Sequence, residues 1–259
     1  MNHELQKFSL ADRTYIVTGA AQGIGRAISL AIAGLGGRVA AVDLKEDEVA
    51  SLAATSGGAI HAYCGDVASQ EFASHVVEDA ASRLGPVNGL VNNAGIVRAA
   101  MIEKMTLAEW QKVIDINLTG CFNFMQAVGR TMIARRKAGD EFSGSIVNIS
   151  SDAGRRGTIG QINYGAAKSG VLGLTMSGAR EWSRWGIRVN SVCFGVVETP
   201  MTETVRSEKF RDTYLQMIPL GRWATPDEVA RPVCFLLGEG ASYITGQHLS
   251  VNGGFHIGF

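Results

Sequence analysis

The sequence lacks the features that mark membrane and nucleic-acid-binding proteins. Its 24 Lys and Arg residues are balanced by 24 Asp and Glu residues, so the net charge is zero. Without an excess of either sign there is no long-range attraction for nucleic acid or an anionic membrane, and we expect neither partner. No apolar run approaches the ~20 residues that span a bilayer.

Cysteine and histidine are also scarce. The five histidines show no metal-ligand spacing, so we predict no metal site. The start of the chain has neither the basic residues nor the apolar run of a signal peptide, and we expect a cytoplasmic protein. Four cysteines form no CxxC pair, and their apolar surroundings predict buried free thiols in a reducing compartment: Cys64, Cys121, Cys193 and Cys234.

Strand-like and helix-like segments alternate along the whole chain. The strands are apolar on both faces, which is typical of a parallel sheet covered by helices. The sequence therefore predicts an α/β single-domain doubly wound Rossmann fold over residues 1–259, with a parallel seven-stranded sheet flanked by helices on both faces and a lid at about 195–217. The predicted strands are 13–18, 38–43, 59–64, 87–92, 144–150, 187–193 and 247–251, and the longest predicted helices are about 106–135 and 163–185.

A glycine-rich turn follows the first predicted strand. Glycines allow a tight turn and close approach of a pyrophosphate, and the next helix points free N–H groups at it. The second strand ends in Asp43, whose carboxylate can bind ribose hydroxyls and would repel a 2′-phosphate. We therefore predict NAD(H), with NADP(H) less favoured; Lys45 and Arg26 are the cations that could offset this preference. A strand-to-helix turn with no ligand, and a strand-end cap, are the alternatives for these two features.

Tyr164 and Lys168 are four residues apart in a helix-like segment, so their side chains share one face. A free phenol has a pKa near ~10, too high for a base at neutral pH, and a neighbouring ammonium lowers it by roughly 1–3 units. Tyr164 could then take a proton from an alcohol and return it to a ketone oxygen. An ordinary helical pair is the alternative interpretation.

The spacing Thr18-Gly-x-x-x-Gly-x-Gly differs from the usual GxGxxG and resembles the short-chain dehydrogenase/reductase family. The resemblance covers nearly the whole chain and implies hydride transfer between a nicotinamide dinucleotide and a secondary alcohol or ketone. Its further motifs occur in order: Asp66-Val67, Asn92-Asn93-Ala94-Gly95, Ser151, Tyr164-x-x-x-Lys168 and Val251-Asn252-Gly253-Gly254.

The resemblance also implies individual roles. Tyr164 would be the acid–base, Ser151 (rather than its neighbour Ser150) would polarise the carbonyl, Lys168 would lower the pKa of Tyr164, and Asn117 would hold a water in the proton relay. The cofactor would be bound by Gly19, Gln22, Gly23, Ile24, Gly25, Asp43, Asp66, Val67, Asn93, Ala94, Gly95, Tyr164, Lys168, Val197 and Thr199.

The substrate side is less well defined. Phe194 precedes Gly195 where the family usually has proline, so the geometry of the following loop is not predicted. Gln161, with Ser151 and Tyr164, would touch the substrate. Arg155 and Arg156 could meet a substrate carboxylate, but we expect solvated loop charges. The apolar lid residues suit an apolar ketone, although we expect most of them to pack within the lid.

The primary prediction is an NAD(H)-dependent enzyme acting on a small-molecule secondary alcohol or ketone. The alternative is a 3-oxoacyl-[acyl-carrier-protein] reductase using NADPH, whose acidic carrier could dock on the basic patch 135–137, although residues 139–143 resemble an inserted loop. A non-catalytic dinucleotide-binding redox sensor ranks below both. We expect a homotetramer, with a dimer next, assembled through the two long helices and the tail 255–259.

Overall fold

The computed structural model describes residues 8–258. Seven strands and ten helices alternate within this range. The strands are β1 (Thr14–Thr18), β2 (Arg38–Asp43), β3 (Ile60–Cys64), β4 (Val87–Asn92), β5 (Gly144–Ser151), β6 (Ile187–Phe194) and β7 (His248–Val251). The helices are α1 (Gly23–Gly34), α2 (Glu46–Ala54), α3 (Gln70–Leu84), α4 (Leu107–Ile114), α5 (Gly120–Lys137), α6 (Ala153–Arg156), α7 (Ile162–Trp182), α8 (Glu203–Arg206), α9 (Glu208–Gln216) and α10 (Pro226–Leu237).

The strands form one parallel sheet in the order β3-β2-β1-β4-β5-β6-β7. The chain runs outward from β1 to β3, then returns to pair β4 on the other side of β1. This reversal is the switch point of a doubly wound sheet, where a crevice opens at the carboxyl ends of the strands. The predicted fold class and the seven-stranded parallel sheet are confirmed.

Two apolar clusters cover the sheet, one on each face. Ile28 of α1 and Val233 of α10 belong to one cluster, while Val76 of α3 and Phe124 of α5 belong to the other. Every residue of β1 and β6 is buried, which explains why these strands read as continuous apolar runs instead of alternating patterns. The sheet is therefore rigid where its strand ends reach the crevice.

Three sequence predictions need correction. Cys64 is exposed, because β3 is an edge strand with alternating burial. The helix predicted at 106–135 is divided into α4 and α5 by a π-helical turn, Asp115–Thr119. The lid region is more regular than expected, since α8 and α9 occupy most of it. Within residues 8–258 no helix is long and apolar enough to cross a membrane.

Candidate active site

A cavity of about 440 Å³ lies over the carboxyl ends of the central strands, a size usual for small-molecule and cofactor sites. The glycine turn, the ends of β4 and β5, the start of α7 and the lid contribute its walls. Apart from Gly25 and Asn117, every residue predicted for the site lines this cavity. The fold thus brings together motifs that lie up to 180 residues apart in the sequence.

The glycine turn is held in a conformation that larger residues cannot adopt. Gly19 has φ 66°, and a Cβ there would lie 2.8 Å from the Cα of Ala94. A Cβ on Gly25 would overlap the carbonyl oxygen of Gly19. Gly25 therefore permits the close packing of α1 behind the turn and does not itself line the cavity.

Asn93 fastens this turn to the end of β4. Its side-chain nitrogen donates to the carbonyl oxygens of Thr18 and Gly19, at 3.1 and 3.0 Å. The Thr18 hydroxyl in turn accepts from the backbone N–H groups of Asn93 and Ala94, both at 3.1 Å. These bonds fix the position of the helix N-terminus that faces the cavity.

Asp43 stands at the end of β2, beside the glycine turn. Its carboxylate oxygens accept from the backbone N–H groups of Ala21 (3.0 Å) and Lys45 (3.1 Å). The Lys45 ammonium donates to the Gln22 side chain at 3.0 Å and lies 3.4 Å from Glu48. The carboxylate therefore faces the cavity in a fixed orientation, with one lysine tethered beside it.

Asp66 and Val67 line the cavity after β3. The Asp66 carboxylate accepts from the N–H of Ala68 at 2.9 Å, and Asn123 donates to the Val67 carbonyl at 3.1 Å. Together with the glycine turn and Asp43, these residues form a groove with a helix N-terminus in the middle and a carboxylate at one end. This donor and acceptor set fits an adenine dinucleotide.

The two serines at the end of β5 differ in the hydrogen bonds that their hydroxyls make. The Ser150 hydroxyl is buried and donates to the Lys168 carbonyl at 2.8 Å. The Ser151 hydroxyl accepts from the N–H of Ala153 at 3.2 Å, and its side chain also hydrogen-bonds with Tyr164. Ser151 is therefore the serine whose hydroxyl can donate to a substrate oxygen.

Lys168 and Tyr164 lie at the same end of the cavity. The Lys168 ammonium donates to the Ile149 carbonyl at 2.8 Å and lies 5.7 Å from the centroid of the Tyr164 ring. Burial lowers the pKa of Lys168 to about 8. Burial raises the pKa of Tyr164, and a hydrogen bond with the Ser151 side chain opposes this rise. Burial therefore dominates the pKa of Tyr164 here while the ammonium donates to a backbone carbonyl, and the lowering of this pKa by Lys168 stays a prediction.

Asn117 lies behind this cluster, in the π-helical turn. Its side chain exchanges two hydrogen bonds with the backbone of Ile96, at 2.8 and 3.0 Å, and it is fully buried. A Cβ on Gly95 would lie 3.4 Å from the Asn117 oxygen and 3.5 Å from the Lys168 nitrogen. Asn117 is thus close to Lys168 but does not line the main cavity.

The family model described as "Enoyl-(Acyl carrier protein) reductase" matches residues 19–256. The chain belongs to the short-chain dehydrogenase/reductase family. It is 41% identical to a 3-oxoacyl-[acyl-carrier-protein] reductase of Thermotoga maritima, covering 96% of this chain and 99% of that one. It is 43% identical to an acetoacetyl-CoA reductase of Rhizobium meliloti, covering 93% and 98%.

Solved structures agree with this family. A short-chain type dehydrogenase/reductase of Mycobacterium marinum superposes with a TM-score of 0.91 at 30% identity, covering 98% of this chain and 99% of that one. A protein of Beutenbergia cavernae, provisionally named an NAD(P)-dependent gluconate 5-dehydrogenase, gives a TM-score of 0.87 at 38% identity, covering 96% and 98%. That structure holds NADP at low occupancy. The protein is accordingly an oxidoreductase whose family binds a nicotinamide dinucleotide.

Two buried side chains hold the short-chain dehydrogenase/reductase motifs in position here. Neither was predicted from the sequence. Asn163, just before Tyr164, donates to the carbonyls of Arg98 (3.0 Å) and Glu109 (3.3 Å), which anchors the start of α7. Asp152, just after Ser151, is held by Asn252. No sequence pattern marks Asn163 as important. Asn252 belongs to the Val-Asn-Gly-Gly motif, but the motif does not indicate that its partner is Asp152.

Phe194 occupies the position where this family usually has proline. It is buried, pairs with Ser151 in the sheet, and its carbonyl accepts from the N–H of Asp152 at 3.1 Å. The residue also lines the cavity. The phenylalanine therefore continues β6 as a normal strand residue and adds an apolar surface to the pocket.

Only part of the predicted lid stripe faces the cavity. Met201, Val205 and Tyr214 line it, whereas Phe210 and Met217 are exposed and point elsewhere. The expectation that most of these residues pack within the lid is therefore not met. The Tyr214 ring lies 6.1 Å from that of Phe255, so the lid contacts the carboxyl-terminal tail beside the pocket. Phe259, at the end of the predicted interface tail, lies outside the described residues.

The adjacent arginines after Ser151 have different environments, and the expectation that both are solvated is wrong. Arg155 is half-buried and donates to the Ser250 hydroxyl (2.7 Å) and the His248 carbonyl (2.8 Å), which ties α6 to β7. Arg156 is exposed but lines the cavity. Gln161, directly before α7, also lines it.

The basic patch at the end of α5 is partly neutralised by the loop that follows it. Arg135 forms a 2.7 Å ion pair with Asp140, and its guanidinium lies 3.8 Å from the centre of the Phe142 ring. Lys137 lies 5.5 Å from the Trp185 ring. The residues at 139–143 therefore fold back onto the patch and reduce the positive charge offered to an acidic partner.

Proposed function

We propose that this protein transfers a hydride between a nicotinamide dinucleotide and the C3 carbonyl or hydroxyl of an acyl substrate. One observation carries the proposal: Ser151, Tyr164 and Lys168 line the same cavity as Asp43. The first three suit a ketone oxygen and the last suits an adenosine ribose. Asp43 and Ser151 stand at the ends of β2 and β5, which are three strands apart in the sheet, so a dinucleotide can lie across the strand ends between them.

The choice of a 3-oxoacyl substrate is supported by the relatives. Two relatives above 40% identity are named for reduction of 3-oxoacyl or acetoacetyl thioesters. They favour the alternative of the sequence analysis over the simple ketone that ranked first there. An acetoacetyl or longer 3-oxoacyl thioester is therefore the substrate we propose first.

The chain's own residues account for the proton transfer. In reduction, the Tyr164 phenol donates its proton to the carbonyl oxygen, and the Ser151 hydroxyl donates a second hydrogen bond to the same oxygen. The Lys168 ammonium stabilises the phenolate that remains and would hold the ribose of the nicotinamide. Asn117, beside Lys168, would support the relay that returns a proton to Tyr164. The bound nicotinamide supplies or accepts the hydride.

The cofactor we propose is NAD(H). Asp43 would bind the ribose hydroxyls, and its carboxylate would repel a 2′-phosphate. The opposing evidence is Lys45 beside it and the NADP held by the Beutenbergia cavernae relative. Lys45 is already engaged with Gln22 and Glu48, so a phosphate would have to displace those contacts.

A second candidate is the oxidation of a small hydroxy acid or polyol. The provisional gluconate 5-dehydrogenase name of one structural relative supports it, and Asp43 suits the NAD⁺ that such an oxidation would use. The polar Gln161 at the substrate end would suit a hydroxylated chain. The intact catalytic set argues against a redox sensor without turnover.

The deciding experiment measures both cofactors against three substrates: acetoacetyl-CoA, a simple aryl ketone and gluconate. Faster NADH oxidation with acetoacetyl-CoA than with the aryl ketone supports the first proposal. NAD⁺ reduction by gluconate alone would support the second. Tight NADH binding without turnover of a broad substrate panel would favour the sensor.

We also propose a homotetramer. Large apolar side chains are exposed on α4, α5 and α7, where Leu107 is 78%, Phe122 43% and Met176 48% exposed. Burial of such a surface between copies of the chain would remove apolar area from water. Sedimentation equilibrium tests this: a mass four times that of the 27.5 kDa chain is expected, and a monomer would contradict it.

A further inference from the structure

We infer that Arg156 is a specificity residue that binds an anionic group of the substrate, remote from the reacting carbonyl. This inference rests on the proposed function, because it assigns a role within the same pocket. It differs from that proposal in naming a charge on the substrate. It also separates Arg156 from its neighbour Arg155, whose guanidinium is used to hold β7.

The first argument is the set of charges around the cavity. Three basic side chains line it within residues 8–258, and two of them already have partners. Lys45 stands at the adenosine end beside Gln22, and Lys168 donates to the Ile149 carbonyl. Arg156 remains for the substrate end.

The second argument is that Arg156 has no carboxylate partner in the part of the chain that the structure describes. Among residues 8–258, no ion pair and no hydrogen bond involves its guanidinium. Asp152 is one candidate, but both of its carboxylate oxygens accept from Asn252. Burial raises the pKa of Asp152, and the charge of Arg156 opposes that rise without a hydrogen bond between the two side chains. As far as residues 8–258 are concerned, the N–H donors of Arg156 can therefore bind a carboxylate or phosphate in a bidentate manner.

The third argument is that the guanidinium is held in place. It stacks on the Phe255 ring, 4.0 Å from the ring centre, and Phe255 in turn lies against Tyr214 of the lid. Both aromatic rings line the cavity. A guanidinium stacked on an aromatic face keeps its edge donors exposed while losing little conformational freedom on binding. Phe255 of the carboxyl-terminal tail therefore sets the position of the Arg156 guanidinium. In the sequence, Arg156 lies five residues after Ser151.

The anionic group could come from two sources with the same chemistry. A free 3-oxo acid carries a carboxylate near the ketone, and a coenzyme A thioester carries phosphates farther away. The experiment uses three substrates with the same 3-oxobutyryl group: acetoacetate, acetoacetyl-CoA and the neutral N-acetylcysteamine thioester. Each is tested with the unmodified protein, Arg156→Gln, Arg156→Lys and Arg130→Gln, an exposed arginine on α5 outside the cavity.

Arg156→Gln is expected to lower kcat/KM for one anionic substrate about ten- to a hundred-fold, since a hydrogen bond between charged groups is lost. The neutral thioester should change less than about three-fold, Arg156→Lys should restore part of the loss, and Arg130→Gln should change nothing. A loss with acetoacetate alone identifies a carboxylate, and a loss with acetoacetyl-CoA alone identifies a phosphate. Equal losses for all three substrates, or none, would overturn the inference.

A binding measurement separates this inference from the proposed function. Acetoacetate and NAD⁺ cannot react with each other by hydride transfer, so calorimetry can measure acetoacetate and thioester binding to the NAD⁺-saturated protein. Binding of an anionic compound that weakens about ten-fold or more in Arg156→Gln supports the inference even without turnover. Equal binding by both proteins would refute it even if acetoacetyl-CoA is reduced.

Discussion

Asn252 donates from its side-chain nitrogen to both carboxylate oxygens of Asp152, at 2.9 and 3.1 Å. The two residues are 100 positions apart, and Asp152 directly follows Ser151. The same nitrogen also donates to the His256 carbonyl at 2.9 Å. The serine loop and the carboxyl-terminal tail therefore form one hydrogen-bonded unit, and the tail carries Phe255 to the mouth of the pocket.

The variant Asn252→Ala should reduce the free energy of unfolding by about 1–3 kcal/mol at pH 7, because the buried Asp152 carboxylate loses its donors. Urea denaturation measures this change. The double variant Asn252→Ala with Asp152→Ala should recover part of the loss, since no buried carboxylate is then left unpaired. A single variant as stable as the unmodified protein would show that this pair does not hold the loop.

The glycine turn offers a matched pair of variants in one helix. Gly25→Ala should abolish NADH binding or raise its Kd by at least about ten-fold, because the new methyl overlaps the Gly19 carbonyl oxygen and displaces the turn. Gly34→Ala, at the other end of α1, meets no atom within 4 Å and should bind NADH normally. Fluorescence titration with NADH measures both. Equal affinities for the two variants would contradict the role given to close packing at Gly25.

The burial of Lys168 leads us to expect that the free energy of unfolding depends on pH, with a sign that follows from the lowered pKa. The ordinary pKa of 10.5 falls to about 8 in the folded protein, so the folded state binds fewer protons than the unfolded state between these values. The stability contributed by this group therefore rises with pH across that window, by up to roughly 3 kcal/mol. Relative to Lys168→Met, the unmodified protein should gain stability between pH 7.5 and 10.

Urea denaturation of both proteins at several pH values between 7.5 and 10 measures that difference. All other titrating groups are shared, so they cancel to a first approximation in the comparison. Stability curves that run parallel over this range would show that the Lys168 pKa is not lowered.

The sequence predicted the sheet and most of the residues that line the cavity because both depend on local patterns. Apolar runs marked the buried strands, and glycine spacing marked the turn at Gly19. Cys64 was misjudged because an apolar run does not show that its strand lies at the edge of the sheet. The division between α4 and α5 was missed because helical periodicity continues through a π-helical turn.

Long-range pairings could not be predicted from one sequence. Nothing in the residues around Asp152 indicates that Asn252 is its partner. The different environments of Arg155 and Arg156 follow from the twist of one short helix, which places one guanidinium on β7 and the other on Phe255. Burial raises the pKa of Tyr164, an effect that the sequence does not reveal because it gives the neighbouring lysine but not the burial.

The carboxylate of Asp43 is expected to set the preference for NADH over NADPH. Asp43→Ala should weaken NADH binding, because the carboxylate that would bind the ribose is lost, and should improve use of NADPH by removing a repulsive charge. The ratio of kcat/KM for NADH to that for NADPH should fall about ten-fold or more. Asp47→Ala is the control, since it removes an exposed acidic group of α2 that does not line the cavity. An unchanged ratio in Asp43→Ala would contradict the NAD(H) proposal.

The most direct test of the central claim is Tyr164→Phe, measured as single-turnover NADH oxidation with acetoacetyl-CoA and compared with NADH binding in the same preparation. The account predicts a rate loss of at least about a hundred-fold, because proton transfer to the carbonyl oxygen is removed, with NADH affinity little changed. A variant that binds NADH and reduces the substrate at a rate near that of the unmodified protein would contradict Tyr164 as the acid and, with it, the proposed chemistry.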